Sequence, residues 1–335
     1  MRRCATRLEG ADYTWAWPGG PSLGTMKKHD LPADAQPLLE QILERLRPVS
    51  DGELKGIDPA SPEADRFSLA VCTIDGEQVA AGDADVAVPL QSISKPFIYG
   101  LALDTFGRKE VLRHCNVEPT GEAFNSISEL EEDRLPYNPM INSGAITMSA
   151  LLHHRAPDTA CDHMLAMFAR YLGHEPRLDD EVLGTKGKGG HRNRAIAHLL
   201  RHFEVIGDDI DGALSLYVTQ CSVLATTREL ATMAATLANG GVHPVTGQTA
   251  VERAHVRDVL SVMFTCGMYD ASGNWAFHVG LPAKSGISGG ILAVVPGRMG
   301  IAACSPRLDP HGNSIRGTKA LQQLASDWKL GMFDL

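Results

Sequence analysis

The stretch VPLQSISKPFIYGLAL, residues 88–103, places Ser92 three residues before Lys95 at the start of an apolar helical pattern. Residues three apart on a helix share a face, with their side chains about 5–6 Å apart. A lysine so placed could take the serine's proton and make the hydroxyl a nucleophile, provided burial leaves part of the lysine neutral. The bland alternative is a polar turn entering a buried helix. Spacing alone does not separate them: Ser326 and Lys329 in SDWK repeat the pattern, and there it reads as the solvated end of the last helix. A second segment, LPAKSGISGG, puts Lys284, Ser285 and Gly286 where a strand edge could face the nucleophile. His198 and His202 lie four apart, but no carboxylate or cysteine completes a metal-ligand set, so no metal is expected. GTKGKGG, running into HRNRAIAHLL, lacks the G-x-x-x-x-G-K-[ST] spacing of a phosphate-cradling loop.

The elements around Ser92 predict how it is presented. Two apolar runs, RFSLAVCTI and EQVAAGDADVAV, meet at Asp75-Gly76 in a strand–turn–strand pattern that leads straight into the helix. Pro96 is tolerated in a first turn but not in a helix interior. Ser92 is therefore expected near the helix N-terminus, where free N–H groups and the dipole favour a developing anion. Upstream, DAQPLLEQILERLRPV has the apolar spacing of a packing helix. Beyond Ser92 the chain reads as mostly helical to about residue 265, broken at PYNPMINSG, GTKGKGG and LANGGVHPVTG. GGILAVVPGRMGIAACSP then forms a second hairpin, bent at Pro296-Gly297. Strands at both ends with helices between them predict an α+β fold, an antiparallel sheet built from both termini and packed against a mostly helical lobe. Residues 1–32, rich in Gly and Pro at AWPGGPSLGT, read as a loose extension, leaving 33–335 as the catalytic domain.

Composition bounds the class. With 335 residues, 44% of them hydrophobic, the chain can bury a sizeable core. A net charge of -9 with scattered basic residues argues against a nucleic-acid partner. No apolar run approaches the roughly 18 residues of a membrane span. Seven cysteines, odd in number and without a C-x-x-C pair, suggest reduced thiols and a cytoplasmic protein. The basic MRRCATRLEG is not followed by the apolar core of a secretory signal.

Ser92-x-x-Lys95 and the downstream KSG segment together resemble the paired motifs of penicillin-recognising serine enzymes. The resemblance narrows with GDADVAVPLQSISKPF, YNPMINSGAI, HRNRAIAHLL, YVTQCS, MAATLANGG, CGMYDASGNWAFHVGLPAKSGISGGILAVVPGRMG and GNSIRG. In that order, over roughly residues 66–318, the chain is similar to the serine-dependent glutaminases, a family resembling beta-lactamases in fold. The resemblance implies a beta-lactamase/transpeptidase-like fold and hydrolysis of a small molecule's terminal carboxamide to an acid and ammonia. It implies no metal or organic cofactor, and a homodimer or homotetramer. Carried over by position, it makes Ser92 the nucleophile, Lys95 its base and Tyr269 a phenol relaying a proton near the serine and the leaving ammonia. The backbone N–H groups of Ser92 and Ile287 would form the oxyanion hole. Asn142, Asn193 and Tyr217 would hold the substrate's amino-acid end.

Two departures accompany the resemblance. Glutaminases of this kind carry a glutamate seven residues before the asparagine of RN, facing the substrate ammonium; here that position is Lys186. The nearby acids are Asp179, Asp180 and Glu181, which a loop shift could bring in. An early tyrosine is also missing, since GELKGIDPA contains none. The reversed charge raises the expectation of a carboxamide whose amine is acylated, absent or replaced by an acidic group. Two other readings stand beside it: a glutaminase-like binding or regulatory protein without turnover, and a penicillin-recognising hydrolase drawing on Ser272-x-Asn274.

Overall fold

The structure, a computed structural model, describes residues 31–120, 134–184 and 190–334. Helix α1 (Ala35–Leu46) precedes strands β1 (Ser68–Thr73) and β2 (Gln78–Gly82), the two apolar runs of the sequence, joined through Asp75-Gly76. The helical region carries α2 (Lys95–Phe106), α3 (Asn142–Arg155), α4 (Ala160–Leu172), α5 (His191–His202), α6 (Ile210–Ser222), α7 (Thr227–Ala238), α8 (Arg253–Cys266) and α9 (Ser272–His278). The chain returns as β3 (Ala283–Ser285), β4 (Gly290–Val295) and β5 (Met299–Cys304), and α10 (Ile315–Trp328) follows.

The five strands form one sheet in the order β2-β1-β5-β4-β3, antiparallel throughout. Ser68 pairs with Cys304 and Thr73 with Met299, so strands from the two ends of the chain lie side by side at the centre. β1, β4 and β5 are buried along their whole length. The reason is a cover on each face. Leu69, Val71 and Ile301 pack with Leu39 of α1 and Leu321 of α10, whereas Ala70, Cys72 and Ala302 pack with Leu230 of α7. A sheet covered on both faces has no use for polar alternation, which is why its strands read as continuous apolar runs. The close seat of α7 depends on small residues: a Cβ at Gly300 would lie 2.2 Å from both the Ala231 carbonyl oxygen and the Ala235 nitrogen.

α2 is buried on nearly every side, through Phe97, Ile98, Tyr99, Ala102 and Leu103. It is the axis of the helical lobe. Here the structure refines one expectation: α2 begins at Lys95, and Ser92 sits just before it in a separate 3₁₀ turn, Gln91–Ser94. Gln91 holds that turn at φ 49°, a backbone region that is costly for a residue with a side chain. Among the described residues no helix is long and apolar enough to cross a membrane.

Candidate active site

The end of β2 and the short strand Val88–Pro89 deliver the chain to the Ser92 turn, whose entry is fixed by the Leu90 N–H donating to Val223 O at 2.8 Å. Ser94 Oγ donates to Gln91 O at 2.7 Å and closes the turn. Ser92 is 8% exposed and Lys95 1%, so the nucleophile candidate is just reachable and the base candidate is sealed behind it.

Lys95 has little water and two well-placed acceptors. Its Nζ donates to Asn142 Oδ1 at 2.7 Å and to Met140 O at 3.2 Å. Asn142, the first residue of α3, passes the chain on by donating from Nδ2 to Asn193 Oδ1 of α5 at 3.0 Å. None of these acceptors is a carboxylate. Burial therefore pulls the Lys95 ammonium down from the usual lysine range to about 7. The opposing influence is Cys221, but burial pushes its thiol up to about 11, so it stays neutral and burial governs. A lysine half deprotonated near neutral pH is competent to accept a hydroxyl proton.

On the other side of Ser92 stands Tyr269. It occupies a 3₁₀ turn, Tyr269–Ala271, with φ 58°, a second costly backbone position beside the same serine. Its hydroxyl donates to Ser285 O at 3.3 Å and shares a hydrogen bond with the Ser92 side chain. Burial raises the phenol to about 12, which keeps it protonated and able to donate. Lys284 locks the turn to the sheet: its buried Nζ donates to Gly267 O at 2.9 Å and Ser285 O at 2.8 Å, and lies 4.2 Å from the Tyr269 ring centre. Burial drives Lys284 well below the lysine range, and nearby Lys95 adds to the effect. The KSG strand thus meets Ser92 through the Tyr269 hydroxyl.

Tyr217 and Cys221 lie four apart on one face of α6 and hydrogen-bond each other. Burial holds Tyr217 far above the phenol range, and it senses Tyr269 across the site. Ile287 follows Gly286, where a Cβ would lie 2.9 Å from Leu90 O, so the segment carrying Ile287 presses directly on the Ser92 turn. The expected residues Ser92, Lys95, Asn142, Asn193, Tyr217, Tyr269 and Ile287 are therefore brought to one place. Lys186 lies outside the described residues. Asp179 accepts from Val182 N at 2.8 Å and so caps the turn Asp180–Gly184, while Asp180 and Glu181 are exposed.

Two residues were not singled out by the sequence reading as part of this set. Cys221, in YVTQCS, meets Tyr217, Ser94 and Lys95; its i, i+4 relation to Tyr217 was the available signal. Lys284 was recognised only as part of its strand. The SxN reading does not hold: Ser272 Oγ donates to Tyr269 O at 2.7 Å and accepts from Met268 N, so it staples the Tyr269 turn. Asn274 borders a different cleft with Trp275 and His278.

The glutaminase family profile matches residues 58–333 of the chain. The chain belongs to the glutaminase family. A glutaminase of Trichormus variabilis is 46% identical over 310 residues, covering 91% of this chain and 93% of that protein. One from Corynebacterium glutamicum is 43% identical over 296 residues, 87% of this chain and 71% of its own. A probable glutaminase of Bacillus subtilis superposes with a TM-score of 0.84 at 33% identity, covering 90% of this chain and 98% of that one. Mglu in its glutamate form gives a TM-score of 0.84 at 39% identity, over 91% of this chain and 71% of its own. The fold is that of the glutaminases, beta-lactamase-like, and the protein is a glutaminase-type amidohydrolase.

Proposed function

We propose that this glutaminase hydrolyses the side-chain carboxamide of L-glutamine to glutamate and ammonia through an acyl-enzyme on Ser92. The observation that carries the reading is the placement of Lys95: sealed from water, neutral in part near pH 7, and directly behind a serine held in a strained turn. Ser92 Oγ attacks the carboxamide carbon as Lys95 Nζ takes its proton. The N–H groups of Ser92 and Ile287 hold the developing oxyanion. Collapse breaks the C–N bond, and the proton held by Lys95 passes to the departing nitrogen with Tyr269 as relay, releasing ammonia. Water then attacks the ester and glutamate leaves. Asn142, Asn193 and Tyr217 bind the amino-acid end, and Lys186, seven residues before Asn193, is assigned to the amine. A γ-glutamyl p-nitroanilide tests the scheme: a burst of p-nitroaniline and one acyl group of added mass on Ser92 support it, and hydrolysis without either refutes the covalent route.

The enzyme is further read as a cytoplasmic homodimer or homotetramer needing no metal or organic cofactor. Cys72, Cys115, Cys221, Cys266 and Cys304 are buried free thiols, which supports a reducing compartment. Sedimentation at micromolar concentration tests the assembly, with a monomer refuting it.

A further inference from the structure

A second concavity of about 720 Å³ lies between α8, the end of α7 and the Pro296-Gly297 turn, and none of the residues around Ser92 lines it. Its size is that of a small-molecule pocket. The α8 wall carries two stripes at helical spacing. Arg253, Arg257 and Ser261 form a polar one, and Val256, Leu260 and Phe264 an apolar one beside it. Leu237, Pro282 and Met332 extend the apolar lining opposite.

The charge of this cavity is one-sided. Among the described residues no acidic side chain lines it, and neither Arg253 nor Arg257 makes a hydrogen bond or ion pair. Both sit in the first half of α8, whose acidic N-cap, Glu252, gathers its carboxylate with Asp104 and His255. Arg253 lies across Gly240, its side chain 3.6 Å from the space a Cβ would fill there. Uncompensated guanidiniums at one end and an apolar channel at the other describe a complement to one kind of molecule.

We propose that this cavity binds a small amphipathic anion, an aliphatic chain with a carboxylate-like head, the head between Arg253 and Arg257 and the chain along Leu260 and Phe264. Guanidinium forks match carboxylate geometry, and the apolar stripe accounts for a body rather than a bare ion. The site does not depend on the roles given to Ser92 and Lys95.

Calorimetric titration of the full-length protein with decanoate, below the concentration at which it aggregates, tests the proposal. One decanoate is expected per chain, with acetate not binding and decanol binding at least tenfold more weakly. Affinity should fall at least tenfold in Arg253→Gln/Arg257→Gln, whose surface changes leave the melting temperature unaltered. In Leu260→Asn the head-group contacts survive and affinity should fall as the chain contact is lost. No binding, equal binding of decanol and decanoate, or undiminished binding by the double variant each overturns the proposal. So does sedimentation showing that Leu260→Asn splits an oligomer that decanoate does not bind, since a second copy then fills the cavity.

Discussion

Lys95 Nζ and Asn142 Oδ1 lie 2.7 Å apart, and the lysine's partner there is a neutral amide oxygen. The amide gives the lysine a fixed direction without stabilising its charge. That combination turns a lysine into a base at neutral pH, and it can be altered by one atom.

In Asn142→Asp the new carboxylate favours the ammonium, so the base loses its proton only at higher pH. The parent's kcat/KM should rise with pH through about 7 as Lys95 deprotonates. The variant's midpoint should move up by about 1–3 pH units, with a fall of tenfold or more at pH 7. A pH–rate profile reads this directly, and an unmoved midpoint would remove Lys95 as the base. Stability follows the same group. Its folded value of about 7 lies below the ordinary 10.5, so between those pH values the unfolded chain binds more protons and the Lys95 contribution to stability rises with pH.

Ser92→Ala removes one hydroxyl and no core volume. Amide hydrolysis should fall below about a hundredth of the parent while the melting temperature stays put. Greater residual activity sinks Ser92 as the nucleophile.

Tyr269→Phe keeps the ring against Lys284 and loses the hydroxyl shared by Ser92 and Ser285. A proton relay acts mainly in the transition state, so kcat should drop by about 10²–10⁴ with KM little changed. A rise in KM alone would make Tyr269 a binding residue instead.

The proposal for Lys186 is tested through the substrate. The role proposed for Lys186 sets a positive side chain against the glutamine ammonium, which would weaken ground-state binding, so Lys186→Glu should lower KM for L-glutamine several-fold or more. An N-acylated glutamine should show the opposite response. Efficient parental turnover of L-glutamine with KM unchanged or raised in the variant would mean that Lys186 does not face the amine.

At the sheet, Gly300→Ala drives a methyl into the α7 backbone, and an overpacked contact of this kind costs about 1–3 kcal/mol. Thermal melting should register a fall of several degrees. No change would mean that α7 does not seat at the distance described.

How much of this was readable from the residues depends on how local each cause is. Strands β1, β4 and β5 announce themselves because both faces are buried, and Pro96 places Ser92 ahead of a helix because the ring cannot sit deeper. The separate 3₁₀ turn was not readable, since the left-handed backbone at Gln91 falls on a residue type that gives no sign of it. The Lys95–Asn142–Asn193 relay joins three elements far apart in the chain, and no spacing rule reports such a contact. Family resemblance named Asn142 and Asn193 as substrate residues; their bonds to each other and to Lys95 came only with the fold. Lys284 and Cys221 were visible as motif members, but the hold of Lys284 on the Tyr269 turn and the approach of Cys221 to Ser94 and Lys95 are tertiary.

The pairing of Ser68 with Cys304 also dictates an order of events during synthesis. The interior strand β1 leaves the ribosome early and must wait for β5 before it has a partner on that side, and Lys284 reaches the Tyr269 turn only late. Local contacts form first and distant strand pairing last, so the helical lobe can condense around α2 while the apolar β1–β2 hairpin stands with an open edge. Through most of its translation the chain therefore holds Ser92 without the strand that completes its surroundings, and exposes a strand edge of the kind that chaperones shield and that aggregation exploits.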